Sequence, residues 1–346
     1  MNLKTRIILI VCSFVVSGTV IISACKKSDV HRRRATPMNF VVPDGFPSPA
    51  FNFSQNPVTE EGFALGRKLF HDNRLSLGID VTCSSCHQQH AAYTTFDHDL
   101  GHGTNHQHTR RNVPVIFNMA WHTEFEWDGR NKSLKDQTLA CLTAPEKMAG
   151  EISAINEKIK SDTSYTRLFS DAFGDANITS DRIADALTQF VVMLVSNNSK
   201  YDKVKKGEAE FNSSEAAGYE LFKTKCAGCH AEPLFTDLSF RNNGLVSTPF
   251  HVDYGRMEVT GDPADSLKFK VPTLRNVMLT GYYVHDGRFI AVGQLLDHYS
   301  EGITPIPTLD PSLQNGIPLT LLEKFYLEEF LFTLSDSTLI SDPRFE

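Results

Sequence analysis

The sequence predicts a mainly α-helical protein made of two domains packed together. Three observations carry that prediction: apolar residues recur at helical spacing in several stretches, strand signals are scarce, and one five-residue motif occurs twice in 346 residues. The motif reads Cys83-Ser84-Ser85-Cys86-His87 and, in the second half, Cys226-Ala227-Gly228-Cys229-His230. Two thiols three apart on one turn reach two edges of a single porphyrin and leave the next residue beneath the metal. C-x-x-C-H is therefore the signature of covalent haem attachment, with His87 and His230 as proximal ligands to iron. A zinc site would want two such pairs close in sequence, and a thioredoxin-like redox motif does not need the trailing histidine. Two cytochrome c-like haem domains follow, expected over residues 57–205 and 206–346, each holding one covalently bound haem c.

Residues 1–24 read as a lipoprotein signal peptide. Lys4 and Arg6 form a positive start, Ile7 to Ile22 is apolar, and Ile22-Ser23-Ala24-Cys25 is a cleavage box that leaves Cys25 lipidated. A plain secretory signal, with a soluble periplasmic product, or an uncleaved anchor is the alternative. Either way the chain is expected to be exported to the periplasmic face of a bacterial membrane, touching it only through the lipid on Cys25. Cleavage removes two positive charges and no negative ones, so the net charge moves from −7 to −9. That balance excludes a nucleic-acid partner and suits a basic electron donor. Of the seven cysteines, Cys12 lies in the signal, Cys25 takes lipid and four hold haem. Cys141 is left over as a small buried hydrophobe, so no disulfide framework is expected.

Residues 25–56 read as a tether, with the basic run Arg32-Arg33-Arg34, several prolines and no helical period. Thr59 then caps a helix with Glu60 and Glu61 in its first turn and Phe63, Leu69 and Phe70 inward. A helix from Ser180 carries Ile183, Leu187, Phe190, Val191 and Leu194 toward the core. Ser214-Glu215 opens another with Tyr219, Leu221 and Phe222, just before the second haem motif. Helix, then haem site, thus occurs twice. Thr320-Leu321-Leu322-Glu323 is a capping box opening a last helix with Phe325, Tyr326, Phe330 and Leu334 on its apolar side. Loops fill residues 241–272.

Each iron needs a second axial choice, which sets its potential and its access to substrate. Candidate segments between the haem motifs are Gly101-His102-Gly103, Arg111-Asn112-Val113-Pro114 and Glu126-Trp127-Asp128-Gly129-Arg130. After the second motif come Val271-Pro272-Thr273-Leu274-Arg275-Asn276, then Gly281-Tyr282-Tyr283-Val284-His285-Asp286-Gly287-Arg288, then His298-Tyr299. The order and wording of these segments resemble the bacterial di-haem cytochrome c peroxidase family, which includes MauG-like di-haem oxidases, from about Phe40 to Leu334.

That resemblance implies roles. His102 matches the histidine that caps the peroxidatic iron at rest, with His106 or His108 as substitutes. Trp127 matches the tryptophan through which electrons pass between the haems. Asn112, Thr280 and the carbonyl of Tyr282 match the ligands of a calcium ion between the domains. His285 is read as structural. Arg130 and Arg288 are read either as partners of haem propionates or as surface salt bridges.

Two positions depart from the peroxidase pattern. Tyr299 stands where peroxidases place the methionine ligand of the electron-transfer haem, as in MauG-like members; Met278 and Met257 are alternatives, as is a tyrosine that merely packs. The acid/base glutamate of the family's Pro-x-Glu-Met segment is replaced, since Pro145-Glu146-Lys147-Met148 puts Lys147 at its position with Glu146 beside it. The expected function is reduction of hydrogen peroxide to water with electrons from a small exported cytochrome c or cupredoxin. A MauG-like oxidase acting on a protein or organic substrate, and an electron-transfer protein without turnover, are the alternatives. A homodimer is left open.

Overall fold

The structure, a computed structural model, describes residues 35–78, 81–248 and 252–346. The expected signal peptide, the lipidated Cys25 and the Arg32-Arg33-Arg34 run lie outside the described residues. Helices dominate, as expected. The only strands among the described residues are β1 (Phe240–Arg241) and β2 (Phe269–Lys270), paired antiparallel. The helices that position the rest are α1 (Glu60–Phe70), α2 (Cys83–Cys86), α3 (Leu134–Thr143), α4 (Ser180–Val192), α5 (Ser213–Lys225) and α6 (Leu321–Phe332). No described helix is long and apolar enough to cross a membrane.

Helix α1 starts where the sequence places it. The Thr59 hydroxyl accepts the Gly62 amide at 3.0 Å, and Glu60 and Glu61 lie at the positive end of the helix dipole. Its Phe63, Leu69 and Phe70 are buried against α4, where Ile183, Leu187 and Phe190 are buried in turn. In the second half, α5 is opened by a capping box of Asn212 and Glu215, and α6 by one of Thr320 and Glu323. Phe222 of α5 and Phe330 of α6 are fully buried with Phe235 and Leu334 in a separate core.

The same device brings both helix pairs together. A Cβ on Gly66 of α1 would collide with the Ala186 carbonyl of α4, and one on Gly218 of α5 with the Tyr326 carbonyl of α6. Each glycine lets two backbones touch, and so sets the width of its core.

Three expectations change. Part of the tether is packed structure: the Met38 amide donates to Val58 O at 2.9 Å, and the Phe46 ring lies 5.1 Å from that of Trp121, whose Nε1 donates to Pro47 O at 2.8 Å. Phenylalanines in a proline-rich stretch gain by covering an indole, and no helical period is needed for that. The halves also do not part at residue 206. Tyr201 belongs to the second core, whereas Leu339 and Phe345 close the first, and Gln89 donates to the carbonyls of Leu339 and Asp342. Finally, Phe325 is 48% exposed and lies off the buried side of α6.

Gly66→Ala and Gly218→Ala are each expected to cost about 1–3 kcal/mol by forcing the helices apart. Thermal or urea unfolding of the haem-loaded protein checks both.

Candidate functional site

Both attachment motifs are turns whose backbone holds the histidine in place. At the first, Thr82 and Ser85 cap α2 reciprocally, and the His87 amide closes on Cys83 O at 2.9 Å. The His87 Nδ1 lies 2.9 Å from the Tyr93 carbonyl. A carbonyl only accepts, so Nδ1 carries the proton and Nε2 keeps its lone pair. Burial pushes this imidazole down to about 4, so it is neutral at pH 7. At the second, the His230 amide closes on Cys226 O at 3.0 Å, and its Nδ1 faces the carbonyls of Phe235 at 3.2 Å and Pro272 at 3.1 Å. Burial lowers this imidazole as well. Among the described residues every cysteine is a free thiol, and burial pushes Cys83 and Cys226 up to about 12. Paired neutral thiols beside an imidazole oriented through its other nitrogen are the donor set that a covalently attached, histidine-ligated haem requires.

Other candidates fall near these turns. The His102 carbonyl is 3.7 Å from Cys86 Sγ, and its exposed ring lies between those of His98 and His108, at 4.1 and 4.6 Å. Tyr299 is close to Cys226 and Cys229; burial pushes its phenol up to about 12, opposed by a hydrogen bond with Asn243. Met278 packs against the second core instead, and Met257 opens a short surface helix.

The seam between the halves is built twice from one pattern. Asn118 has positive φ and accepts the Ser196 amide at 2.9 Å, and Asn276 likewise accepts the Asp336 amide at 2.7 Å. Glu126-Trp127-Asp128-Gly129-Arg130 and Val284-His285-Asp286-Gly287-Arg288 form matching turns. Their first residues share φ 68°, and each turn has an Asp–Arg ion pair, at 2.6 and 2.5 Å. Trp127 is buried; its Nε1 donates to Asn112 O at 2.8 Å and its carbonyl accepts from Lys270 of β2 at 2.7 Å. His285, the matching residue, is stacked on Phe269 at 3.7 Å. The Asn112 side-chain nitrogen donates to Asp99 O and its backbone amide to His285 O, both at 2.8 Å. The Thr280 carbonyl accepts from the Tyr283 hydroxyl at 3.0 Å, and Tyr282 has φ 54°.

Buried charge also crosses the seam. Arg111 binds Asp253 at 2.7 and 2.8 Å and Asp128 at 2.5 Å, all three nearly inaccessible to solvent. Arg130 and Arg288 pair with Asp128 and Asp286.

The segment expected to hold the acid/base group contains a surprise. Lys147 Nζ forms an ion pair with Glu126, not with Glu146, whose carboxylate has no hydrogen bond or ion pair among the described residues. Gln137 of α3 donates to the same Glu126 oxygen at 2.7 Å and to Cys141 Sγ at 3.1 Å. Cys141 is thus part of a polar cluster rather than a plain hydrophobe. Burial opposes the Glu126 charge, but Lys147 outweighs it and holds the carboxyl below its usual range. Lys147, also opposed by burial, is held above its own by Cys141 and Glu126. The sequence displayed Glu126 beside Trp127, yet nothing local marks it as the partner of a residue twenty-one positions on.

Comparison with known proteins shows what the whole chain is similar to. Residues 60–210 match the family model described as di-haem cytochrome c peroxidase. The chain is 33% identical over 299 residues to the methylamine utilization protein MauG of Methylorubrum extorquens, covering 84% of this chain and 82% of that one. It is 36% identical over 247 residues to cytochrome c551 peroxidase of Nitrosomonas europaea, covering 70% and 73%. Among solved structures, a MauG-like protein associated with microbial copper homeostasis superposes with TM-score 0.81 at 32% identity, over 89% of this chain and 99% of that one.

Asp253 gives the seam a pH dependence. Burial would raise its carboxyl, but two hydrogen bonds from Arg111 hold it at about 2. A value below the unfolded one of about 3.9 means a contribution fully present above about pH 4 and lost as pH falls toward 2. Urea unfolding at pH 7, 4 and 2.5 should show this loss in the natural chain. An Arg111→Met/Asp253→Leu variant should lose less across the same window.

Proposed function

Because this chain belongs to the di-haem cytochrome c peroxidase family, MauG proteins included, we propose that it reduces hydrogen peroxide to water with electrons from a small exported cytochrome c or cupredoxin. It is an enzyme of the haem peroxidase class with two haem c groups, one for each attachment motif, which sets aside a carrier without turnover. The observation that carries the reading is the pairing of two attachment turns, each with its imidazole preset through Nδ1, across a seam that buries Trp127. Bound haem supplies the redox-active iron at each site.

The chain's residues then divide the work. Cys83, Cys86, Cys226 and Cys229 anchor the two groups, and His87 and His230 offer Nε2 to iron. Tyr299 is the second ligand at the C-terminal site, where electrons enter, and His102 guards the N-terminal site, where peroxide reacts. Trp127, hydrogen-bonded to both halves, is the conducting residue between them. Asn112, whose amide nitrogen is occupied by Asp99, presents its oxygen to a calcium ion together with Thr280 and the Tyr282 carbonyl. Export, the lipid on Cys25 and a homodimer complete the proposal. The sequence motif at residues 22–25 supports the lipid.

A second reading has one specific support. A phenolate at Tyr299 lowers the potential of its iron and favours stored oxidising equivalents, as an oxidase of protein or organic substrates would need. His102 favours the peroxidase, because an oxidase of that kind would need the N-terminal site left open.

Rapid mixing of the mature, di-haem protein with peroxide and reduced cytochrome c decides between them. Donor oxidation at two equivalents per peroxide is expected; rapid bleaching or oxidation of the protein itself with the donor untouched would establish the oxidase. Tyr299→Met is expected to raise the potential of the C-terminal haem, measured by redox titration, and to speed donor oxidation.

A further inference from the structure

We propose that Glu126, held by Lys147, is the proton-transferring carboxylate of the first haem site. The inference rests on the peroxidase reading and assigns the group that reading leaves open, since position 147 has no carboxylate.

Place, burial and internal comparison support it. The Lys147 carbonyl accepts the Thr104 amide at 2.8 Å, and a Cβ on Gly103 would collide with the carbonyls of Glu146 and Lys147. The pair therefore abuts the segment that carries His102, whose own carbonyl reaches Cys86 Sγ. Both charges are close enough to His87 to bias its imidazole, Lys147 down and Glu126 up. The Glu126 side chain is 12% exposed, and taking a carboxylate out of water is costly even when it is paired.

The turn does not require that charge. In the second half the same position, with the same φ of 68° and the same Asp-Gly-Arg continuation, is Val284. The flanking bridge is also shared, Phe125 with Asn131 and Tyr283 with Phe289. An ionised group that the fold can replace by valine, buried beside one site and missing from the other, belongs to what differs between the sites.

The chemistry balances. Breaking the O–O bond of hydrogen peroxide needs a base for the proton on one oxygen and an acid for the other. Glu126 takes the first proton and returns it to the departing oxygen, which leaves as water. The remaining oxygen becomes the second water with two protons from solvent and two electrons from two molecules of the reduced, one-electron donor protein. Lys147 stays protonated throughout. It orients the carboxylate, and Gln137 fixes the same oxygen from α3.

The test uses the full di-haem protein and two readouts, peroxide turnover and the association rate of cyanide. Hydrogen cyanide must give up its proton to bind as the anion, so its rate reports proton acceptance without turnover. Glu126→Gln, and Glu126→Leu/Lys147→Met as a neutral pair of similar volume, are each expected to slow both rates about 100-fold or more. Glu126→Lys/Lys147→Glu, which exchanges the charges, should recover at least tenfold over the neutral pair. Should Glu126→Gln fail to fold, the neutral pair decides, because it leaves no buried charge unmatched. Either neutral variant, with both haems attached, within threefold of the natural chain on both readouts would overturn the assignment. A natural chain that never turns over peroxide refutes the proposed function instead, and the cyanide rates still report on Glu126.

Discussion

An imidazole is preset to serve a metal through one nitrogen when its other nitrogen is hydrogen-bonded, which fixes both the tautomer and the ring. In this protein that constraint is met by backbone. Tyr93 O holds His87, and Phe235 O with Pro272 O holds His230. Those carbonyls are fixed in turn by the loops that follow each attachment turn and, for Pro272, by the strand that reaches the seam. Side-chain partners would have introduced groups that titrate or swing; carbonyls do neither. The cores, the glycine contacts between helices and the seam all serve to keep these carbonyls where they are.

The seam shows how two similar halves acquire different duties. One backbone pattern is used twice, with Asn118 and Asn276 each accepting a later backbone amide, Ser196 and Asp336, and Asp–Gly–Arg turns closing each loop. On that common frame the first half carries Glu126 and Trp127, the second Val284 and His285. Arg111 ties the copies together through Asp128 and Asp253. Buried ion pairs of this kind add little net stability over apolar packing, but they are intolerant of losing one member. They therefore favour one docking arrangement over near alternatives.

Much of this was legible in the sequence. The attachment motifs, the Thr59 cap and the Thr320–Glu323 box are local signals, and local signals survive in one dimension. The helical class follows from periodicity. The packed stretch from Met38 to Phe53 was missed because its burial comes from aromatic contacts with Trp121, to which no period corresponds. Phe325 was misplaced because α6 is apolar on more sides than it buries. Glu126 went unassigned because its meaning depends on Lys147 and on a second copy of the turn that differs there. Both relations are long-range.

The last residues of the chain bear on the first site. Leu339 and Phe345 lie in the N-terminal core, and Gln89, two residues past His87, donates to the Leu339 and Asp342 carbonyls. Residues 250 positions apart in sequence therefore brace one loop, so damage to the C-terminal segment would be felt at the turn that follows the first attachment motif.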